Sequence, residues 1–158
     1  MNLLSFYKDE GLTEEFSDKH MPEIALTLAA GNMVGVYARL NYKCKDIGLF
    51  LTESSSNSEW RYPIDFSNQT SVINLKSMNS EENPTKGLYI MRLGDASATF
   101  FNHNTGSSYS NRILLSTTDE IYEEGYVFLF TIGFVANENL AKNKRLFCGI
   151  SSYGVLVE

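Results

Sequence analysis

The segment of this chain that most restricts its fold is the ten-residue run at 126–135, YVFLFTIGFV. Every position in it except Thr131 and Gly133 is a large apolar or aromatic residue. Because side chains alternate between the two faces of a strand, such a run places apolar groups on both faces. We therefore predict the central strand of a sheet, with sheet or chain packed on either side. One of its predicted faces consists of Phe128, Phe130, Ile132 and Phe134.

The same run raises the question of a partner surface. If its phenylalanines are partly exposed in the isolated domain, the strand itself presents a face to a neighbouring subunit. If they are fully buried, assembly depends on another part of the chain.

A period of two continues along most of the sequence. Apolar residues alternate with others over residues 24–28, 34–40, 47–51, 60–66, 87–93 and 146–157. Polar loops separate these runs at 52–58, 79–86 and 102–111. About eight to ten short strands at spacings of about ten residues, with almost no helical period, are typical of an antiparallel β-sandwich or a jelly roll.

The predicted fold class is therefore all-β, with a single antiparallel β-sandwich or jelly-roll-like domain over residues 22–158. A chain of 158 residues fits one such domain and can bury a core without disulfides. Within it, the strands at 24–28 and 34–40 are predicted to be joined tightly by a turn at 29–32.

Residues 1–21 differ from the rest, because charged residues surround isolated apolar ones. One interpretation is a short helix with Thr13 as its N-cap and with Leu12 and Phe16 four residues apart. The other is an extended arm that docks on a neighbouring subunit, which we favour because Gly11 interrupts any longer helix. The predicted partner-binding residues of this arm are Leu3, Leu4, Phe6, Tyr7, Leu12 and Phe16.

Composition excludes several classes of partner. The net charge is −6 and the pI about 5.0, with Lys and Arg scattered, so no nucleic-acid partner is expected. The longest apolar run has ten residues, too few for a membrane helix, and the apolar start of the chain is too short for a secretory signal. The expected location is a cytoplasm, where Cys44 and Cys148 are predicted to be reduced; a disulfide between them needs neighbouring strands.

The chemistry of an enzyme is not evident in the sequence. Its two histidines, His20 and His103, have no second ligand at metal-binding spacing, and no nucleophile elbow or phosphate-binding glycine loop occurs. The acidic residues at 119–124 could ligate Ca²⁺, but they lack the order and the glycine of a dedicated loop, which favours a solvated connection. We expect no catalytic residues, no metal site and no cofactor.

Exposed aromatic residues are the better candidates for ligand binding. Trp60 and Tyr62 fall on one face of a strand that contains Pro63, and Tyr109 lies in the Asn-rich loop. If exposed, such rings form platforms for sugars. The alternative is that Trp60 and Tyr62 belong to the core-facing half of an ordinary strand, which their alternation with Arg61 favours.

Together, the strands at 24–28 and 34–40, the aromatic segment at 47–66, the Ser/Asn-rich loops and the leading arm resemble a known group of proteins. These are the small acidic β-sandwich structural proteins of tailed-bacteriophage virions, such as capsid decoration or cement proteins and tail or neck accessory proteins. The resemblance implies a multicopy, non-enzymatic role in a virion assembled in the host cytoplasm, with capsid or tail proteins or further copies of the chain as partners, and no membrane. The alternative function is a carbohydrate- or receptor-binding module.

Overall fold

The computed structural model describes residues 2–16, 23–27, 33–52, 61–63, 87–101, 112–135 and 145–158. For residues 23–27, 51, 52, 61–63, 87 and 145–148 it describes the backbone alone. These parts of the chain contain strands and turns but no helix, and hence none that could cross a membrane.

Eleven strands occur in the described residues. They are β1 Leu4–Tyr7, β2 Glu23–Thr27, β3 Met33–Leu40, β4 Cys44–Thr52, β5 Arg61–Pro63, β6 Gly87–Arg92, β7 Thr99–Phe100, β8 Arg112–Leu114, β9 Ile121–Tyr122, β10 Val127–Val135 and β11 Arg145–Leu156. A five-stranded sheet has the order β1-β3-β10-β6-β7. The other sheet has the order β2-β11-β4-β8, with β5 paired to β11 and β9 paired to β4.

The order of the strands is that of a jelly roll. With β1, β5 and β9 set aside, the eight remaining strands pair first with last: β2 with β11, β3 with β10, β4 with β8, and β6 with β7, all antiparallel. A long hairpin that is rolled up, with successive pairs alternating between two sheets, has this connectivity. The predicted all-β sandwich is confirmed, and the pairing selects the jelly roll. The β5–β11 pair is parallel.

Strand β10 lies between β3 and β6, so its predicted central position is confirmed. Its inner row is buried, since Phe128, Phe130 and Ile132 are 8%, 1% and 0% exposed. Its outer row is not, because Val127 and Val135 are each 37% exposed. The expectation that the chain covers both faces is therefore wrong for the outer face.

The predicted tight pair of strands at 24–28 and 34–40 is also wrong. β2 pairs with β11 in one sheet, and β3 pairs with β10 and β1 in the other. In a rolled hairpin the chain passes to the opposite sheet at most connections other than the hairpin tip, so strands that are adjacent in sequence need not be hydrogen-bonded. The alternation of side chains along a strand does not show which other strand it pairs with.

The N-terminal segment belongs to the sandwich. β1 pairs antiparallel with the edge of β3, with Leu4 opposite Leu40 and Phe6 opposite Ala38. The core includes Leu3, Leu4, Phe6 and Phe16. The predicted arm is thus replaced, over residues 2–16, by an edge strand whose apolar residues are buried by their own chain.

No helix follows β1 within residues 2–16. The Asp9 carboxylate instead accepts hydrogen bonds from the Thr13 hydroxyl, at 2.6 Å, and from the Glu14 N–H, at 2.8 Å. These bonds lower the pKa of Asp9. Leu12 has a φ of 57°, in the left-handed region, and Glu15 bridges back to Tyr7. The turn therefore brings the chain back beside β1, where Phe16 enters the core.

A bulge in β4 shapes the other sheet. Asp46 and Ile47 lie opposite the single residue Gly154 of β11, and Asp46 has a φ of 51°. Because of the extra residue, Cys44 and Ile47 are both fully buried although they are three positions apart.

Candidate assembly surface

The five-stranded sheet turns one side to the core and the other away from it. We define the outer face as the side chains that alternate with the core residues on its strands. They are Ser5, Tyr7, Met33, Gly35, Tyr37, Arg39, Tyr89, Met91, Phe100, Val127, Leu129, Thr131, Gly133 and Val135. Most are apolar or aromatic.

Its charge distinguishes the outer face from the rest of an acidic chain. None of the residues that define it is a carboxylate, but Glu15 bridges to Tyr7 and therefore lies at the edge of the face. Within the defining residues the one formal charge is Arg39, whose guanidinium donates to Asn41 Oδ1 at 3.1 Å. Met33 is 49% exposed, and the valines at both ends of β10 are partly exposed as well. An apolar area of this kind on a folded domain is typical of an interaction site.

Two glycines give the outer face an uneven relief. A Cβ added to Gly133 would collide with the ring of Tyr89, which lies over it beside Phe100 at 5.4 Å between ring centroids. A Cβ added to Gly35 would meet no atom within 4 Å. The face therefore has an open hollow at Gly35, opposite Thr131 on β10.

The outer side of the other sheet is occupied by its own side chains. Arg112 lies 4.8 Å from the ring centroid of Tyr153 and 6.0 Å from that of Phe50. Tyr153 in turn covers Gly48, and the burial of its phenol raises the pKa of Tyr153. This aromatic area already has an intramolecular cation, which sets it apart from the outer face of the five-stranded sheet.

Four of the six predicted partner-binding residues are buried in the core and do not lie on an exposed arm. Leu3, Leu4, Phe6 and Phe16 are between 0% and 7% exposed, so in this fold they hold β1 in the sheet. Leu12 is half-buried in the turn after β1. Tyr7 is half-buried and is the member of the set that lies on the outer face.

The predicted ligand-binding aromatics lie largely outside the described residues. This holds for Trp60, for Tyr109 and for the side chain of Tyr62, whose backbone lies in β5. Their role stays a prediction. His20 and His103 also lie outside the described residues.

The structure adds an aromatic cluster that the sequence analysis did not single out. The ring centroid of Tyr122 lies 4.8 Å from that of Tyr126 and 5.3 Å from that of Phe128. Tyr126 is 49% exposed, and the Tyr122 hydroxyl donates to Glu120 Oε2 at 3.1 Å. The sequence pattern that could have predicted the cluster is the spacing of three aromatic residues at positions 122, 126 and 128. The acidic residues between the first two instead suggested a possible ion ligand.

The acidic connection at 119–124 contacts two lysines. Lys43 Nζ lies 3.7 Å from Glu123 Oε1, and Lys45 Nζ lies 3.9 Å from Asp119 Oδ1. Within the described residues, no three His, Cys, Asp or Glu side chains are grouped so that they could hold a metal ion. The Cys44 thiol is free and buried, and burial raises the pKa of Cys44.

Comparisons of the chain with protein-family models, with curated proteins and with solved structures found no match. The basis for a function is therefore the chain's own geometry. Its jelly-roll order and the apolar outer face are the two features that bear on it most directly.

Proposed function

We propose that this chain is a non-enzymatic structural assembly protein, and specifically a virion component such as a capsid decoration or cement protein. It binds neighbouring subunits through the outer face of its five-stranded sheet, to which the N-terminal strand contributes Tyr7. The single observation that carries the proposal is a partly exposed apolar face, with no carboxylate among the strand residues that define it, in a chain of net charge −6. Jelly rolls build viral capsid domains among others, which supports the proposal without deciding it.

The physical role of the outer face is adhesive. Covering a large apolar side chain fully stabilises a contact by about 1.5 to 3 kcal/mol, and part of that remains available at half-exposed residues. Met33, Val127 and Val135 are the most exposed apolar residues of the face. A neighbouring subunit that covers them gains affinity without any specific chemistry.

Particles made by cells that carry the gene provide the test. They are purified on a density gradient, and the chain is quantified by mass spectrometry. A decoration protein is expected at many copies per particle, co-migrating with the major particle proteins. Recovery of the chain only from the soluble cell fraction would overturn the virion role.

A pair of valine variants tests the surface in the same assay. Val127→Glu places a carboxylate on the outer face, whereas Val155→Glu places one on the other sheet, where Val155 is 48% exposed. Val127→Glu is expected to lower the copy number per particle at least tenfold, and Val155→Glu to leave it unchanged. Equal incorporation of both variants would contradict binding through the outer face.

The second candidate function is a carbohydrate- or receptor-binding module, and the observation that favours it is Tyr126. Its half-exposed ring is held in place by Tyr122 and Phe128, and a fixed, exposed ring is suited to stacking on a sugar. A glycan array with wild type, Tyr126→Ala and the control Tyr42→Ala, at a tyrosine 44% exposed, tests it. Binding lost only in Tyr126→Ala supports this function, and absence of any bound glycan contradicts it.

A further inference from the structure

We propose that the outer face of the five-stranded sheet binds a second copy of this chain, face to face, about a twofold axis through Gly35 and Thr131. The axis lies in the interface and runs across the strands. This inference rests on the proposed function and names the partner of the same surface.

The outer row of β10 carries a valine at equal distances on both sides of its middle residue, and Leu129 on one side corresponds to Gly133 on the other. Thr131 stands at the centre, and the row ends in Val127 on one side and Val135 on the other. A twofold axis through Thr131 that runs across the strands places Val127 of one copy opposite Val135 of the other. The same operation places Tyr37 opposite Met33, because these residues flank Gly35 at equal distances on β3. The pairs that meet are thus apolar with apolar.

The relief of the outer face suits the same axis. Gly35 lies opposite Thr131 in the β3–β10 pair, so the axis passes through the open hollow of the sheet. Gly35 of one copy then faces Gly35 of the other, where no side chain separates the backbones. Close approach at this point lets the flanking Tyr37 and Met33 side chains interdigitate.

The charges of the two copies are compatible with this arrangement. Two chains of net charge −6 repel each other, but none of the residues that define the outer face is a carboxylate, and Glu15 lies at its edge beside Tyr7. Arg39 lies four residues from Gly35 along β3, which is roughly 13 Å from the axis. The two Arg39 side chains are therefore roughly 26 Å apart, well beyond the screening length of about 8 Å at physiological salt.

The size of the outer face fits a weak, concentration-dependent pair. The five strands have 4, 8, 9, 6 and 2 residues, each of which covers roughly 3.3 Å by 4.8 Å. The projected area is then about 460 Å² per copy, or roughly 900 Å² for both. This is below the roughly 1,200–2,000 Å² of stable specific interfaces and lies in the range of weak, transient ones.

The native mass of the purified full-length chain tests the inference, measured by sedimentation equilibrium across a range of concentrations. The wild type is expected to show a monomer–dimer equilibrium that shifts to the dimer as the concentration rises. Gly35→Glu and Gly35→Lys each place two like charges at the axis, and each is expected to raise the dissociation constant at least tenfold. Since the space at Gly35 is open, both variants are expected to keep the wild-type circular dichroism spectrum and thermal unfolding.

Mixing the two variants is the decisive step. In a pair with this axis, the carboxylate introduced by Gly35→Glu faces the ammonium group introduced by Gly35→Lys, so a 1:1 mixture of the two variants is expected to regain the dimer mass. The control is Val155→Glu, on the other sheet, which should stay dimeric. Thr131→Glu, on the neighbouring strand, is a further variant that is expected to dissociate the pair.

Three results would overturn the inference. A monomeric wild type would show that the partner is a different protein, and the particle assay would still decide the proposed function separately. Dimers that persist in Gly35→Glu and Thr131→Glu would place self-association on another surface. Failure of the mixed variants to associate would contradict the axis through Gly35.

Discussion

The two faces of the five-stranded sheet consist of residues from the same strands, but they differ in burial. The inner face, with Phe130 and Ile132 at its centre, is covered by the opposite sheet. The outer face, with Leu129 and Thr131 at its centre, is half-buried or exposed along most of β10. Alternation thus lets one strand hold the fold together on one side and offer an adhesive surface on the other.

The largest expected effect comes from truncating one residue on each face. Phe130→Ala removes a fully buried ring from the inner face and is expected to lower the free energy of unfolding by about 3–5 kcal/mol. Leu129→Ala, its neighbour on the outer face, is expected to cost less than half as much. Urea denaturation below the concentration at which the chain self-associates gives both values.

Equal losses of unfolding free energy in the two variants would contradict the difference between the two faces. They would mean that Leu129 is as well packed within one chain as Phe130, which leaves no apolar surface for a partner. A loss for Leu129→Ala that grows with protein concentration would instead support the adhesive role of the outer face, because association then contributes to the measured stability.

The two glycines of the outer face give the next largest effect. Gly133→Ala brings a methyl group against the Tyr89 ring and is expected to destabilise the fold by about 1–3 kcal/mol. Gly35→Ala meets no neighbour and is expected to stabilise the isolated chain by about 0.4–1 kcal/mol, because alanine restricts the unfolded chain more than glycine does. Thermal unfolding of the two variants, monitored by circular dichroism, checks the opposite signs.

A double-mutant cycle separates the cause at Gly133. If the Tyr89 ring is the obstacle, Gly133→Ala should cost little in a Tyr89→Ala background. An unchanged cost in that background would point to the backbone of β10 instead. A destabilising Gly35→Ala would show that the hollow is filled within the single chain, which contradicts the open relief.

Much of the inner face could be predicted from sequence. The apolar run around Phe130 predicted β10 to be a central strand, because a strand with apolar residues on both faces is typical of the middle of a sheet. The choice between the two rows was harder, since both consist of apolar residues and only the packing of the second sheet decides which one is buried. The phenylalanine row was the predicted partner surface if exposed, and the valine row is the one that is exposed.

Pairing between distant strands could not be predicted. β1 has four residues within a charged segment, and its partner β3 begins at Met33, so no local signal links them. The bulge at Asp46 likewise depends on the facing strand β11, which lies about a hundred residues later. The pairing of β1 and the bulge both depend on contacts between strands that are distant in sequence. The pairing of β1 with β3 is the reason that an edge strand occurs where an arm was predicted.

The smallest expected effect concerns the one charged side chain at the margin of the inner face. Arg92 lies opposite Phe130 in the pairing of β6 with β10, and its guanidinium donates to the Leu114 carbonyl of the other sheet at 2.8 Å. Asp95 Oδ2 accepts from Arg92 Nε at 2.9 Å and from the Arg92 N–H at 2.8 Å. Outer-face Arg39, by contrast, bonds to a neutral amide.

Desolvation by itself would raise the pKa of Asp95, but the hydrogen bonds and the charge of Arg92 outweigh it and lower that pKa below its ordinary value of 3.8. A carboxyl whose pKa is lower in the folded chain contributes stability that is fully present above the unfolded value. That contribution is lost as the pH falls through the folded value. Because both side chains are partly exposed, it is expected to be under about 1 kcal/mol.

Asp95→Asn therefore should lower the free energy of unfolding slightly at pH 7 and hardly at all near pH 2, as urea denaturation across this range would show. Asp9, whose pKa is also lowered, stays in place, so the variant should keep part of the acid sensitivity of the wild type. A difference between Asp95→Asn and wild type that is the same at both pH values would mean that the amide fails to replace the carboxylate for steric reasons. In that case Arg92 would be held at the inner margin by Leu114 alone, and the charge of Asp95 would contribute nothing to the closed side of the sheet.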